Sequence, residues 1–274
     1  MSKRETLVKI AEENLGKTLT VDWFNENYPE FFYTPDNSSS KYLDENIIAG
    51  LLWGYNVTFT RVFAPDGTYR KIAKTVKISE IKKKTNWQKF LELAKPNDEG
   101  CTSKVDLTFG NGGSWCREGS RLTEIFKVKL NRKGNSDSGQ IISIELLGWN
   151  RDIKFDQTIK REIVEELKNK KCVFTGSTNK IEIDHKDGRK NDLSLNDVKN
   201  QTKESFQPVC KALNDFKRQK CKECKRTGKR WDATNIEGNP IAFYKGGEMY
   251  EGTCEGCYLY DPVAYRIYVF GNKK

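Results

Sequence analysis

A single histidine, His185, occurs in 274 residues, so any chemistry that needs an imidazole falls on that one side chain. No apolar run approaches the roughly 18–20 residues that a membrane-crossing helix needs, and Met1-Ser2-Lys3-Arg4-Glu5 leads into no signal-peptide core. The expectation is a soluble, cytoplasmic protein with no membrane partner. Eight cysteines are too few for a disulfide scaffold, and four of them form two Cys-x-x-Cys pairs, which in a reducing compartment points to metal. The Gly-rich run Gly110-Asn111-Gly112-Gly113 has no Lys-Ser/Thr after it and no strand-to-helix setting, which sets aside a phosphate-binding nucleotide loop. No internal repeat is visible.

What is present supports a folded, basic protein. A hydrophobic fraction of 36% with 11% aromatics supplies packed cores despite 31% charged residues, and the length suits two domains. Forty-eight Lys+Arg against 38 Asp+Glu give a net charge of +10 and a pI near 9.1, a balance that favours polyanionic partners.

Along the chain the periodicity predicts an α+β protein. Leu7, Ile10, Ala11 and Leu15 at helical spacing, with Gly16 as the stop, open the fold with a short amphipathic helix. The apolar run Ile47–Tyr55 and the alternating 57–63 segment, ending in Pro65-Asp66-Gly67, read as strand and turn. Asn86–Ala94 reads as a helix with Trp87, Phe90, Leu91 and Leu93 on its apolar face. Leu122–Leu130 and Gln140–Leu147 read as a hairpin with a long tip. A helix from Phe155 to Lys168 then introduces a segment of different character, which places a domain boundary near 150: a mixed α/β domain over 1–150 and a second domain over 151–274.

Ile181-Glu182-Ile183-Asp184-His185 alternates as a strand does, and Lys186-Asp187-Gly188-Arg189-Lys190-Asn191-Asp192 is dense in turn formers. Asp184 and His185 therefore end a strand, where neighbouring side chains point to opposite faces. A short strand leading into a helix follows, over Ser205-Phe206-Gln207-Pro208-Val209-Cys210 and Asn214-Asp215-Phe216-Lys217-Arg218.

These segments, with Cys172-Val173-Phe174-Thr175-Gly176, resemble the HNH or ββα-metal nucleases, in particular the restriction endonucleases built on that core. The resemblance covers about residues 170–220 and gives no support to 1–150. It implies His185 as the general base that activates water, Asp184 as one ligand of a divalent catalytic ion such as Mg²⁺, and Asn214 as the second. The chemistry stands independently of the family. A neutral imidazole takes a proton near neutral pH, and two oxygen ligands leave positions for phosphate and water, as magnesium prefers. The sequence departs from the pattern twice. Ser205 stands where the family has its middle asparagine, so a backbone carbonyl or Gln207 is left to orient the imidazole. Cys172 and Cys210 have Thr175 and Leu213 three residues on, so the zinc site that many members carry around the core is lost.

Cys221, Cys224, Cys254 and Cys257 instead form two pairs separated by 29 residues, the pattern of a ribbon-like structural Zn²⁺ site. Lys217, Arg218, Lys220, Lys222, Lys225, Arg226, Lys229 and Arg230 face only Glu223 across the same stretch. Arg189, Lys217, Arg218 and Lys220 are the expected phosphate contacts. The implied function is a sequence-specific endonuclease acting on double-stranded DNA, of the type II restriction kind, with a homodimer suited to a palindromic site. Homing or modification-dependent cleavage and a non-enzymatic zinc-containing DNA-binding protein are the alternatives. Residues 1–150, with Trp23, Trp53, Trp87, Trp115 and the loop at 110–113, are assigned sequence recognition.

Overall fold

The computed structural model describes residues 1–36, 38–107, 115–135 and 139–271; the Gly-rich run at 110–113 lies outside the described residues. The chain divides into two compact units, Met1–Ile153 and Lys154–Lys274.

The first unit opens with α1 (Lys3–Glu13), started by a capping box between Ser2 and Glu5 that satisfies two otherwise orphaned backbone donors. β1 (Thr18–Thr20), α2 (Val21–Asn27), β2 (Phe32–Tyr33), β3 (Tyr42–Leu43), α3 (Glu45–Leu51), β4 (Tyr55–Phe63), β5 (Lys71–Glu80) and α4 (Asn86–Ala94) follow. β6 (Val105–Asp106), α5 (Arg121–Ile125), β7 (Phe126–Arg132) and β8 (Ile141–Trp149) complete it. The strands form two three-stranded antiparallel sheets, in the orders β1-β5-β4 and β6-β8-β7, and a small β2–β3 pair.

Two local expectations give way here. The apolar run expected as a strand from Ile47 is helix α3, because Asp44 accepts hydrogen bonds from the backbone N–H groups of Asn46 and Ile47 at 3.2 and 3.1 Å and so starts a helix. A continuous apolar run is as compatible with a buried helix as with a buried strand. Gly50 lets α3 lie against the stacked Phe126 and Trp149 rings, since a Cβ there would come within 2.5 Å of Trp149 and 2.9 Å of Phe126. The strand expected from Leu122 begins only at Phe126, after the helical turn of α5. Trp53 is buried in the core of this unit, and Trp23, Trp87 and Trp115 are partly buried against the same cluster.

The second unit holds α6 (Arg161–Leu167), β9 (Ile181–His185), β10 (Phe206–Cys210), α7 (Lys211–Thr227) and α8 (Pro262–Phe270). The helix expected from Phe155 is shortened to α6. The buried side chains of Asn196 and Gln201 claim the preceding backbone, accepting from the N–H groups of Asp156 at 2.6 Å and Lys160 at 2.8 Å. They also donate to the carbonyls of Lys154 and Thr158, and a backbone satisfied this way has no need to be helical. β9 and β10 form an antiparallel pair in which His185 faces Phe206 and Asp184 faces Gln207. Ile163 and Leu167 of α6 pack with Phe206, Ile159 and Ile183, and a second cluster gathers Ala233, Tyr258, Leu259 and Tyr265.

Candidate functional site

Alternation along β9 sends Glu182 and Asp184 to one side of the hairpin and Ile181, Ile183 and His185 to the other. α7 covers the acidic side. Asn214 donates from Nδ2 to Glu182 Oε2 at 2.7 Å, and one turn later Lys217 donates to Asp184 Oδ2 and to the backbone carbonyl of His185. The amide and the ammonium, three residues apart on one helix face, thus meet two carboxylates two residues apart on one strand face. Asn214 is 2% exposed and its Oδ1 has no partner. The Asn214 hydrogen bond holds the Glu182 carboxyl below the usual range.

His185 lies on the opposite side, 4% exposed. The Phe155 ring meets it edge-on at 5.0 Å and Phe206 packs at 4.7 Å. Burial pushes the imidazole down to about 4, with Lys190 and Lys217 adding to the effect against the opposing pull of Asp184. It is therefore neutral near pH 7, and its buried Nε2 has no hydrogen-bond partner. Gln207 makes no hydrogen bond to the ring: it lies on the Asp184 side of the hairpin and donates from Nε2 to the carbonyl of Leu259 at 3.3 Å. Two aromatic rings, not an amide, hold the imidazole. Phe155 gave no signal in the sequence because it sits in an irregular segment, and Lys190, whose ammonium is 5.7 Å from the Phe155 ring, looked like an ordinary loop cation.

The expected phosphate contacts separate into two kinds. Lys217 is 1% exposed, so it is an internal cation and not a surface one. Arg189 stacks on Tyr250 at 3.7 Å and donates to the Cys224 carbonyl at 3.0 Å. Lys220 is partly exposed and reaches Glu223 at 3.3 Å. Arg218, with 60% of its side chain exposed, is a surface cation that pairs with Asp215 at 3.8 Å. Arg230 is 7% exposed and donates to the carbonyls of Lys245, Gly247 and Glu255, so it ties the second cysteine turn together.

Cys221, Cys224, Cys254 and Cys257 line one cavity of about 20 Å³. The first pair rides on α7 and faces one side at i, i+3, whereas the second caps a turn in which the Cys257 N–H donates to the Cys254 carbonyl at 3.1 Å. This differs from a ribbon of two hairpin knuckles. Burial pushes the Cys221 thiol up to about 12 and raises Cys254 and Cys257, and Cys221, Cys254 and Cys257 lie close enough for their charges to oppose one another. Gly188 closes the cavity toward the His185 loop, because a Cβ there would stand 2.2 Å from Cys221 Sγ. Cys254 Sγ approaches Asp187 Oδ1 at 3.3 Å. Among the described residues, no group of three or more His, Cys, Asp or Glu side chains stands in an arrangement that could hold a metal ion. Cys172 lies apart from this cavity: burial raises its thiol, but hydrogen bonds from the Thr175 side chain and from backbone N–H groups including that of Cys210 outweigh it and bring the thiol to about 7.

The α+β chain with this hairpin and helix belongs to the family described as ICEA Protein, which it matches over residues 85–270. It is 49% identical over 199 residues to the type II restriction enzyme NlaIII of Neisseria lactamica, a match that takes in 66% of this chain and 86% of that protein. No solved structure matches the chain. Among the described residues, no helix is long and apolar enough to cross a membrane.

Proposed function

We propose that the chain is a sequence-specific DNA endonuclease of the type II restriction kind, hydrolysing phosphodiester bonds at the hairpin and helix formed by β9, β10 and α7. The observation that carries this reading is the division of labour at the end of β9. Asp184 shares the α7 side with an amide oxygen of Asn214 that has no partner, and His185 carries a buried Nε2 with no hydrogen-bond partner on the other side. The 49% identity to a type II restriction enzyme supplies the substrate class.

Asp184 and Asn214 are the residues that would hold a divalent ion such as Mg²⁺, and the orphaned Oδ1 of Asn214 fits that role because a hard cation takes oxygen donors. Such an ion supplies charge stabilisation at the scissile phosphate and its leaving oxygen. Lys217 keeps the Asp184 carboxylate neutralised and fixed from the protein side. His185 takes the proton of the attacking water at Nε2. Its neutrality keeps that nitrogen available, and a phosphodiester anion nearby raises an imidazole's affinity for protons toward the range where base catalysis is most effective.

The four cysteines around one cavity form an all-sulfur donor set that suits a structural Zn²⁺. We assign them that role: the four sulfurs would hold the ion and tie α7 to the second cysteine turn. Residues 1–153 are assigned sequence recognition, and a two-fold homodimer is the assembly that a palindromic target calls for. Incubation of the purified protein with plasmid and Mg²⁺, followed by sequencing of the ends, tests the reading. Discrete fragments with one end sequence are expected. Binding without cleavage would leave a zinc-containing DNA-binding protein, and cleavage confined to modified DNA or to one long site would make it a modification-dependent or homing enzyme.

A further inference from the structure

Asn214 can present either end of its amide to a neighbour, and only its oxygen can bind a metal ion. An ionised carboxylate accepts hydrogen bonds and donates none. Glu182, two residues before Asp184 on the same strand face, accepts from Asn214 Nδ2 at 2.7 Å, and the other end of that amide, Oδ1, is buried and unpaired. We propose that Glu182 is a positioning residue, whose carboxylate captures the nitrogen end of the Asn214 amide and thereby leaves the oxygen end free to bind the catalytic divalent ion.

The proposal rests on the reading of Asp184 and Asn214 as ligands. Glu182 itself acts through Asn214, and its remaining ion pair is a 3.5 Å approach from Lys211, a lysine with 55% of its side chain exposed. A fixed amide matters because a half-turn of the side-chain amide replaces an oxygen donor with two N–H groups that repel a cation. Loss of a group that orients a metal ligand typically lowers metal affinity by about 10–100-fold.

The test measures Mn²⁺ binding to the full-length protein by electron paramagnetic resonance, with no DNA present and thermal unfolding recorded for each variant. Glu182→Gln is expected to weaken Mn²⁺ binding by about 10-fold or more, since a glutamine no longer dictates which end of the amide it meets. The decisive arm repeats the substitution in an Asn214→Asp background. In that background two carboxylates face one another and repel, whereas adding E182Q gives the strand an amide that donates to the carboxylate on the helix, so E182Q is expected to strengthen binding. A reversal of sign between the two backgrounds, in variants that the unfolding curves show to be fully folded at the temperature of the measurement, supports positioning. If E182Q weakens binding in both backgrounds, Glu182 is itself a ligand and the proposal is overturned; if it changes nothing in either, Asn214 needs no orienting and the proposal is equally overturned. Asp184→Ala separates this from the underlying reading: should Mn²⁺ bind that variant as it binds the wild type, the ion does not lie at Asp184 and the ligand assignment fails.

Discussion

The Lys217 ammonium sits against the Asp184 carboxylate and the backbone carbonyl of His185, sealed between β9 and α7 with 2% of the Lys217 side chain and 14% of the Asp184 side chain exposed. One cation thereby holds both residues on which the proposed chemistry turns. Lys217→Met leaves Asp184 an unpaired, largely buried charge, and breaking such a pair from one side costs about 3–5 kcal/mol. The partial exposure of Asp184 puts the expected loss at the lower end. Urea unfolding measures it; a change below about 1 kcal/mol would show that the pair contributes no more than an exposed surface bridge does.

The strand end at which Asp184 and His185 stand is legible because local rules fix it. The alternation of Ile181, Ile183 and their polar neighbours placed Asp184 and His185 at a strand end, and the polar loop after them marked where the strand stops. Asn214 comes from the resemblance to the HNH nucleases, and it lies on α7 as the strand-to-helix reading expects. Lys217 differs from its expectation for a physical reason: the basic stretch marks it as a surface cation but cannot say that the hairpin covers one edge of α7, which buries Lys217 and leaves Arg218 outside. The sequence leaves a backbone carbonyl or Gln207 to orient the imidazole, yet the β9–β10 register pairs Gln207 with Asp184, and register is a tertiary outcome. The helix expected from Phe155 loses its first part to hydrogen bonds with Asn196 and Gln201, some forty residues away.

Replacing His185 should remove turnover and spare binding. General base catalysis contributes roughly 10²–10⁴-fold, and His185→Ala is expected to lose that much in single-turnover cleavage. Because the imidazole fills space between Phe155 and Phe206, truncation also opens a cavity that costs stability. His185→Gln, which keeps more of the volume, is the companion variant. Turnover above about 1% of wild type in a folded variant would remove His185 from the base role.

Two arginines of the basic stretch should behave differently. Arg218 is exposed, so Arg218→Ala is expected to weaken DNA binding about equally on all sequences and to lower the slope of log affinity against log salt by about 1. Arg230 is buried against three carbonyls, so Arg230→Ala should instead cost roughly 1.5–3 kcal/mol of stability with an unchanged salt slope. Fluorescence anisotropy over a salt series, run beside thermal unfolding, separates the two. An altered slope for Arg230→Ala with unaltered stability would reverse the assignment.

The cysteines provide the last test, because the chain contains its own control. Cys221, Cys224, Cys254 and Cys257 share one cavity, and Cys172, a buried cysteine of the second unit, lies outside it. Metal analysis of protein purified without chelator is expected to give one Zn²⁺ per chain. Serine at any of the four should lower both zinc content and the unfolding temperature, because structural zinc supplies folding free energy. Cys172→Ser should keep its zinc. The cavity adjoins Gly188 and Asp187 in the loop that follows His185, so cleavage should fall with the zinc-depleted variants as the loop loses its support. An ion held by Asp184 and Asn214 alone should exchange faster than one enclosed by four thiolates, so EDTA is expected to stop cleavage before zinc leaves the protein. Zinc-free wild-type protein that cleaves DNA and unfolds at an unchanged temperature after zinc is added would refute the structural role of the four cysteines.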